Sequence, residues 1–283
     1  MCTRFWWEKV TMTSETTIRL SSFILVLAVM ALWEGLAPKR RLQTGRGGRW
    51  FSNLALVVIG NAASRAVFPI LPVGMAIIAR EKQWGIFNHL DLAIPVEAVL
   101  TVVALDFVIY LQHVAFHFQP LLWRLHRMHH TDLDLDVTSG NRFHPLEILM
   151  SNAIKMAVIV LLGAQPFAVL SFEIILNSCS MFNHANITLS LPLDRWLRTV
   201  LVTPDMHRVH HSVIPKETNS NFGFCLPWWD RLCKTYRDQP AAGHEGMVIG
   251  LKEFRDPGRL TLGHLLLQPL FSFRSRDAST NFK

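Results

Sequence analysis

Only four cysteines occur among the 283 residues, Cys2, Cys179, Cys225 and Cys233, and no two are spaced C-x-x-C. Neither a thiolate zinc site nor an iron–sulfur cluster is therefore indicated, and the four read as free thiols in a reducing setting. Charge is scarce as well: 17% of residues are charged against 50% hydrophobic, with a mean hydropathy of +0.25. That balance is unusual for a soluble domain and points to membrane spans. The glycines Gly45, Gly47 and Gly48 fall short of a G-x-G-x-x-G turn and follow no strand, which removes a dinucleotide site there. No internal repeat or low-complexity tract is present. The formal charge of +7 gathers in a short loop rather than along an aromatic-interleaved strip, so a nucleic-acid partner is not expected.

What the chain has is long apolar runs. Ile18 to Ala37 is long enough to cross a bilayer core and passes directly into Pro38-Lys39-Arg40-Arg41 with no small-x-small cleavage signature, which predicts a retained span rather than a signal peptide. The polar leader before it, Met1 to Thr17, carries a Trp6-Trp7 pair suited to an interface but reads as disordered. Lys39, Arg40, Arg41, Arg46 and Arg49 fill the next loop with no acid among them, and the positive-inside rule places that loop in the cytoplasm. Leu54 to Ala79 is a second apolar stretch that Pro69 and Pro72 kink or split. Ile94 to His117 is a third, returning to the cytoplasmic face. Leu146 to Asn183, broken at Gly163-Ala164-Gln165-Pro166, fits a helical hairpin. The expected fold is all-α: a polytopic integral membrane helical bundle with a histidine-rich di-metal site on its cytoplasmic face. Residues 1–93 would hold N-terminal spans and loops, 94–240 the catalytic region and 241–283 a tail.

Histidine spacing carries the chemistry. His113 and His117 stand four apart, and His126, His129 and His130 form an H-x-x-H-H box that returns as His207, His210 and His211. With 13 histidines in the chain, chance would produce such a box only about 0.03 times. Helical neighbours three or four positions apart can direct two neutral imidazoles at one point, as metal ligation requires. Eight such rings exceed one metal's needs. With His184 they make nine, which suggests two metals at four or five ligands each. His144, before Pro145, could be a further ligand or a buried hydrogen-bonding residue. Asp132, Asp134 and Asp136 could orient ligand imidazoles from behind or simply form a solvated acidic loop. His89, His244 and His264 stand alone and are not expected to be ligands. The segment NSNFGFCLPWWDRLCKTYR, with a turn at Asn221 to Gly223 and aromatics Trp228, Trp229 and Tyr236, reads as an amphipathic stretch lying on the cytoplasmic leaflet.

Set between apolar spans, HVAFH, HRMHH and HRVHH resemble the boxes of the fatty acid hydroxylase / sterol desaturase superfamily of membrane di-iron enzymes. HHTDLDLDVTSGNRFHPLE and NSNFGFCLPWWDRLCKTYR are similar to that family's stretches after its second and third boxes, and the resemblance covers about Asp106 to Arg237. It implies that His113, His117, His126, His129, His130, His207, His210 and His211 are catalytic metal ligands, with His184 a further one. Members of the fatty acid 2-hydroxylase type carry H-x-x-x-H where this chain has His184 alone, and His144 is the substitute to weigh.

The resemblance also implies two irons and O2; ligand chemistry alone does not choose the metal, because all-imidazole sites also suit zinc and copper. It implies a hydroxylase or desaturase acting on a sterol, fatty acyl or related lipid. Each turnover would take two electrons, and the chain has no haem-binding HPGG segment and no flavin or nicotinamide fingerprint. A separate donor of the cytochrome b5 or ferredoxin type is then required. The competing readings are a zinc-dependent hydrolase on the same histidines, active without O2 or reductant, and a non-enzymatic metal-binding membrane protein.

Overall fold

The computed structural model describes residues 12–271; the Trp6-Trp7 pair and Cys2 lie outside them. Among the described residues the chain is helical, with only two isolated β-bridges, Pro38 to Ile187 and Ser212 to Ile249, in place of strands. Seven helices lead to the site: α1 (Met12–Leu36), α2 (Arg46–Val67), α3 (Pro72–Glu81), α4 (Ile94–Phe118), α5 (Pro120–His130), α6 (Pro145–Leu162) and α7 (Pro166–His184). Short ones follow, among them α8 (Leu191–Leu197), α9 (Pro204–His210), α10 (Pro215–Thr218) and α11 (Trp228–Leu232). Every helix from α3 to α10 has proline in its first turn, where its missing N–H has no intrahelical partner to lose and its fixed φ favours helix entry. Proline is thus the chain's main punctuation.

Helices long and apolar enough to cross a membrane cover Ser14–Leu36, Arg46–His89, Ile94–Phe118 and Pro145–Leu162. The protein is a membrane protein. Helix α4 packs on α7, α1 on α7, α2 on α6, and α3 against both α6 and α7. The α6–α7 break is made by Gly163, whose φ of 69° closes the helix in the left-handed region. A Cβ there would strike Asn88 and the Trp84 carbonyl, so the turn needs glycine for space as well as conformation.

Three boundaries differ from the sequence reading. Residues 12–17 of the supposed leader already belong to α1, because nothing between Met12 and Ile18 breaks a helix. The basic loop ends at Gly45, and α2 takes in Arg46 and Arg49, eight residues before the expected apolar start at Leu54. Within the segment NSNFGFCLPWWDRLCKTYR, Ser220 to Cys225 do not lie on a surface but are buried, wedged against α4 by the partners described next.

Candidate metal centre

The stretch from His113 to His130 is two helices, not one. Gln119 is extended, with ψ of 118°, as the residue before Pro120 must be. This turns α5 back so that the two boxes face each other, with His113 Nε2 3.1 Å from His126 Nε2. The last box comes from α9, whose N-cap Thr203 accepts from the Met206 N–H at 3.3 Å. His184 closes the set from the end of α7.

Nine histidines fall into two groups able to hold a metal ion: His113, His117, His126, His130 and His210 in one, and His129, His184, His207 and His211 in the other. The helical repeat explains the division. Residues four apart share a face and stay together, as do His113 with His117, His126 with His130, and His207 with His211; the third member of each H-x-x-H-H box points away, so His129 and His210 cross to the opposite group. Each H-H doublet therefore serves both groups.

Ring orientation is fixed from behind for four of the five histidines in the first group. His113 Nδ1–H donates to the Phe222 carbonyl at 2.7 Å, His210 Nδ1–H to the Ser220 carbonyl at 2.7 Å, His126 Nδ1–H to Glu147 Oε1 at 2.7 Å, and His117 Nδ1–H to Asn219 Oδ1 at 3.1 Å. With the proton held on Nδ1, each Nε2 presents a lone pair inward. In the other group His184 Nδ1–H donates to the Ser180 carbonyl at 2.7 Å. Its Nε2 lies 3.0 Å from that of His129, 3.2 Å from His207 and 3.1 Å from His211.

One lone pair cannot accept three hydrogen bonds. The Nε2 atoms of His117, His130 and His210 are buried without a hydrogen-bond partner among the described residues. Burial, reinforced by repulsion between neighbouring rings, pushes His129, His130, His207, His210 and His211 well below the ordinary value of 6.5, so these five are neutral at physiological pH. Neutral nitrogens crowded at two points, with orphaned lone pairs, are what a pair of cations would satisfy; the donor set fits such a group. Nitrogen-only ligation suits iron, zinc or copper.

The remaining sequence candidates lie elsewhere. His144 caps α6, accepting from the Leu146 N–H at 3.2 Å, while its Nε2 faces the Leu266 carbonyl at 3.1 Å. It is the hydrogen-bonding residue of the two readings. Asp132, Asp134 and Asp136 are buried rather than solvated, and none bonds a clustered histidine among the described residues. Arg49 takes Asp132 at 2.7 and 3.0 Å and Asp136 at 2.7 Å, and Asp134 Oδ2 accepts from the backbone and hydroxyl of Thr44. Arg142 reaches from the far side to the Met128 carbonyl at 3.0 Å, closing the C-terminal end of α5 that bears the second box.

Glu147, Asn219, Ser220 and Phe222 carry no site signal in the sequence, and Arg49 is read there only as part of the basic loop. The two backbone carbonyls carry no side-chain signal at all. Behind Phe222, Asp230 accepts from the Phe222 and Gly223 N–H groups at 2.8 Å each, and Asp106 on α4 accepts from Trp229 Nε1 at 2.8 Å. The segment after the third box is thus clamped so that its carbonyls meet the histidines.

A family model described as fatty acid hydroxylase matches residues 98–235, a stretch holding all nine clustered histidines. The ornithine lipid hydroxylase OlsE of Rhizobium tropici is 28% identical over 225 residues, 77% of this chain and 66% of that protein. Alkylglycerol monooxygenase of Xenopus tropicalis is 25% identical over 169 residues, 59% of this chain and 36% of its own. The human alkylglycerol monooxygenase is 27% identical over 148 residues, 52% and 31% respectively. The chain therefore spans just under two thirds of the first relative and about a third of the other two. No solved structure matches. Box spacing, helical architecture and the matched stretch agree: residues 98–235 carry a fatty acid hydroxylase domain.

Proposed function

We propose that this chain is an O2-dependent membrane lipid hydroxylase with two irons, one held by His113, His117, His126, His130 and His210 and the other by His129, His184, His207 and His211. The observation that carries the reading is the partition of nine imidazoles into groups of five and four. When bound, two ferrous ions supply the O2-activating, electron-transferring chemistry that attack on an unactivated C–H bond needs and that side chains lack.

The chain's own residues hold and shield that site. Phe222, Ser220, Asn219, Glu147 and Ser180 keep five rings turned inward through their Nδ1–H groups. Phe143 stacks on His129 at 4.7 Å, and Phe224 packs against His113 at 5.1 Å, so apolar rings rather than water surround the histidines. Of the nine, only His117 is half-buried, and Phe118 and Leu121 are exposed close by in the chain. An apolar lipid chain would approach from this side.

The names of the relatives favour oxygen insertion over desaturation and a polar-headed or ether membrane lipid as substrate. Electrons would come from a separate carrier of the cytochrome b5 or ferredoxin type. The loop bearing Lys39, Arg40 and Arg41 supports a multi-pass topology with the histidines on the cytoplasmic face.

Elemental mass spectrometry of detergent-purified protein, paired with O2 uptake in the presence of a reductant and membrane lipid extract, tests this reading. Near two irons per chain and lipid-dependent O2 consumption are expected. Zinc alone, with no O2 uptake after anaerobic reconstitution with ferrous iron, would replace the oxygenase with the hydrolase.

A further inference from the structure

Helices α8 and α11 are built inside out relative to a water-facing surface. On α8 and the turn after it, Leu191, Leu193, Trp196 and Val200 are exposed, Trp196 by 64%. Asp194 of the same helix and Arg198 just after it are buried, ion-paired at 2.7 Å. On α11, Trp228 and Leu232 are exposed, Leu232 by 71%, while Asp230 is fully buried. The two helices form one unit: Trp228 Nε1 donates to the Thr199 carbonyl at 2.7 Å and Arg231 Nη2 to the Arg198 carbonyl at 2.9 Å. Exposed apolar side chains over buried Asp194, Arg198 and Asp230, on two helices tied together, call for an apolar neighbour.

The depth of the patch identifies that neighbour. Trp229 lies against Phe107 with ring centroids 4.7 Å apart and donates to Asp106 Oδ2 at 2.8 Å, and Thr235 meets Tyr110 Oη at 3.0 Å. Asp106, Phe107 and Tyr110 belong to the candidate span Ile94–Phe118 and precede His113. At 1.5 Å per residue, the seven residues from Asp106 to His113 amount to about 10 Å along the axis of α4. The patch is therefore fastened to the flank of a membrane-crossing helix, on the membrane side of the histidines. Interfacial helices bury their apolar face to about that depth, roughly 5–10 Å into the headgroup/acyl boundary. Arg195 on α8 and Lys234 in the turn after α11 are exposed, long enough to reach phosphates while their stems stay in the apolar layer.

We propose that α8 and α11 form a ledge inserted into the headgroup/acyl boundary of the leaflet next to the histidine groups, with Leu191, Leu193, Trp196, Val200, Trp228 and Leu232 facing acyl chains. The ledge seats the histidines at headgroup depth, so that a membrane lipid meets them sideways without leaving the bilayer. This placement rests on packing and charge alone and does not depend on the hydroxylase reading.

The test is spin-label accessibility in the full chain reconstituted into nanodiscs of phosphatidylcholine with a minority of phosphatidylglycerol. In a Cys2→Ser, Cys233→Ser background, single labels are placed at Trp196→Cys, Leu232→Cys and, as a comparator, the exposed Lys216→Cys. Labels at 196 and 232 are expected to be relaxed severalfold more by O2 than by a water-soluble nickel chelate, and the label at 216 the reverse. Chelate-dominated relaxation at 196 and 232 overturns the proposal in favour of a water-facing patch. Exclusion of both relaxants overturns it in favour of a protein neighbour, a second copy included. A label-free check uses brominated acyl chains, where Trp196→Phe with Trp228→Phe must remove part of the lipid-quenched tryptophan emission; undiminished quenching also overturns it.

Discussion

Glu147 accepts the Nδ1–H of His126 at 2.7 Å, the one carboxylate contact made by any of the nine clustered histidines among the described residues. Glu147 stands in the first turn of α6, where the helix N-terminus favours its negative charge, and it makes the His126 ring a better nitrogen donor. Glu147→Gln keeps an acceptor oxygen but removes the charge. Metal affinity is expected to fall about 10- to 100-fold, with the melting temperature of the metal-free protein little changed. A competitive titration against a chelator of known affinity measures this, and unchanged affinity would remove Glu147 from the site.

His184 and His144 make opposite predictions. His184 Nε2 is the atom on which three other Nε2 atoms converge, so His184→Ala should strip the four-histidine group and bring metal content from about two ions per chain to about one. Among the described residues the His144 ring hydrogen-bonds only to backbone, at Leu146 and Leu266. His144→Ala should leave metal content alone and cost about 1 kcal/mol through the lost helix cap. Elemental analysis of the two variants side by side decides between them, and equal metal loss in both would refute the assignment.

The helices, the broken hairpin and eight of the nine clustered histidines are legible in the sequence because each has a local signature: apolar length, proline and glycine punctuation, and i, i+3, i+4 spacing. His184 stands alone, without that spacing, and is singled out only by its position and the family resemblance. Even the sharing between the groups follows from the 3.6-residue repeat once α4 and α5 are known to fold back at Gln119. What stayed hidden is what distance in the chain conceals. Arg49 looked like a topology signal because its partners, Asp132 and Asp136, lie more than 80 residues away. The same separation leaves those aspartates, in the sequence, open between orienting ligand imidazoles and forming a solvated loop. Ser220 and Phe222 orient histidines through carbonyls, which any residue type could supply.

Removing Arg49 would leave two carboxylates buried without their counter-charge. Burial alone pushes the Asp132 carboxyl up, but the Arg49 and Arg142 charges outweigh it and hold Asp132 at about 2 against an ordinary 3.8. A carboxyl lowered on folding stabilises the fold above its unfolded value and ceases to do so as pH falls through its folded value. The contribution, on the order of 2 kcal/mol, is therefore present above about pH 4 and lost towards pH 2. Arg49→Gln should destabilise the protein by about 3–5 kcal/mol at neutral pH and raise the midpoint of acid unfolding. Thermal melts of both proteins from pH 7 to pH 3 test it. Parallel curves, with no shift in the acid midpoint, would show that Arg49 is not the charge that holds Asp132 down.

Gly140 sets how closely the loop after the second box approaches α7. Its backbone is ordinary, but a Cβ built on it would run into the Ser180 carbonyl, and that carbonyl accepts the Nδ1–H of His184 at 2.7 Å. The neighbouring contact, Ser180 Oγ donating to the Gly140 carbonyl at 2.6 Å, holds the two segments together from the other direction. Gly140→Ala must push the last turn of α7 outward, because backbone cannot yield as a flexible side chain can, and His184 moves with it. Ser180→Ala removes only the hydroxyl bond and should cost about 1 kcal/mol while leaving the carbonyl in place. The expected result is therefore a split: Gly140→Ala loses metal from the four-histidine group as His184→Ala does, whereas Ser180→Ala keeps the full complement. Metal content and melting temperature measured together separate the two effects, because a variant that is merely less stable melts earlier without losing one ion selectively. Full metal content in Gly140→Ala would mean that α7 can shift without carrying His184 away, and that the glycine serves packing alone.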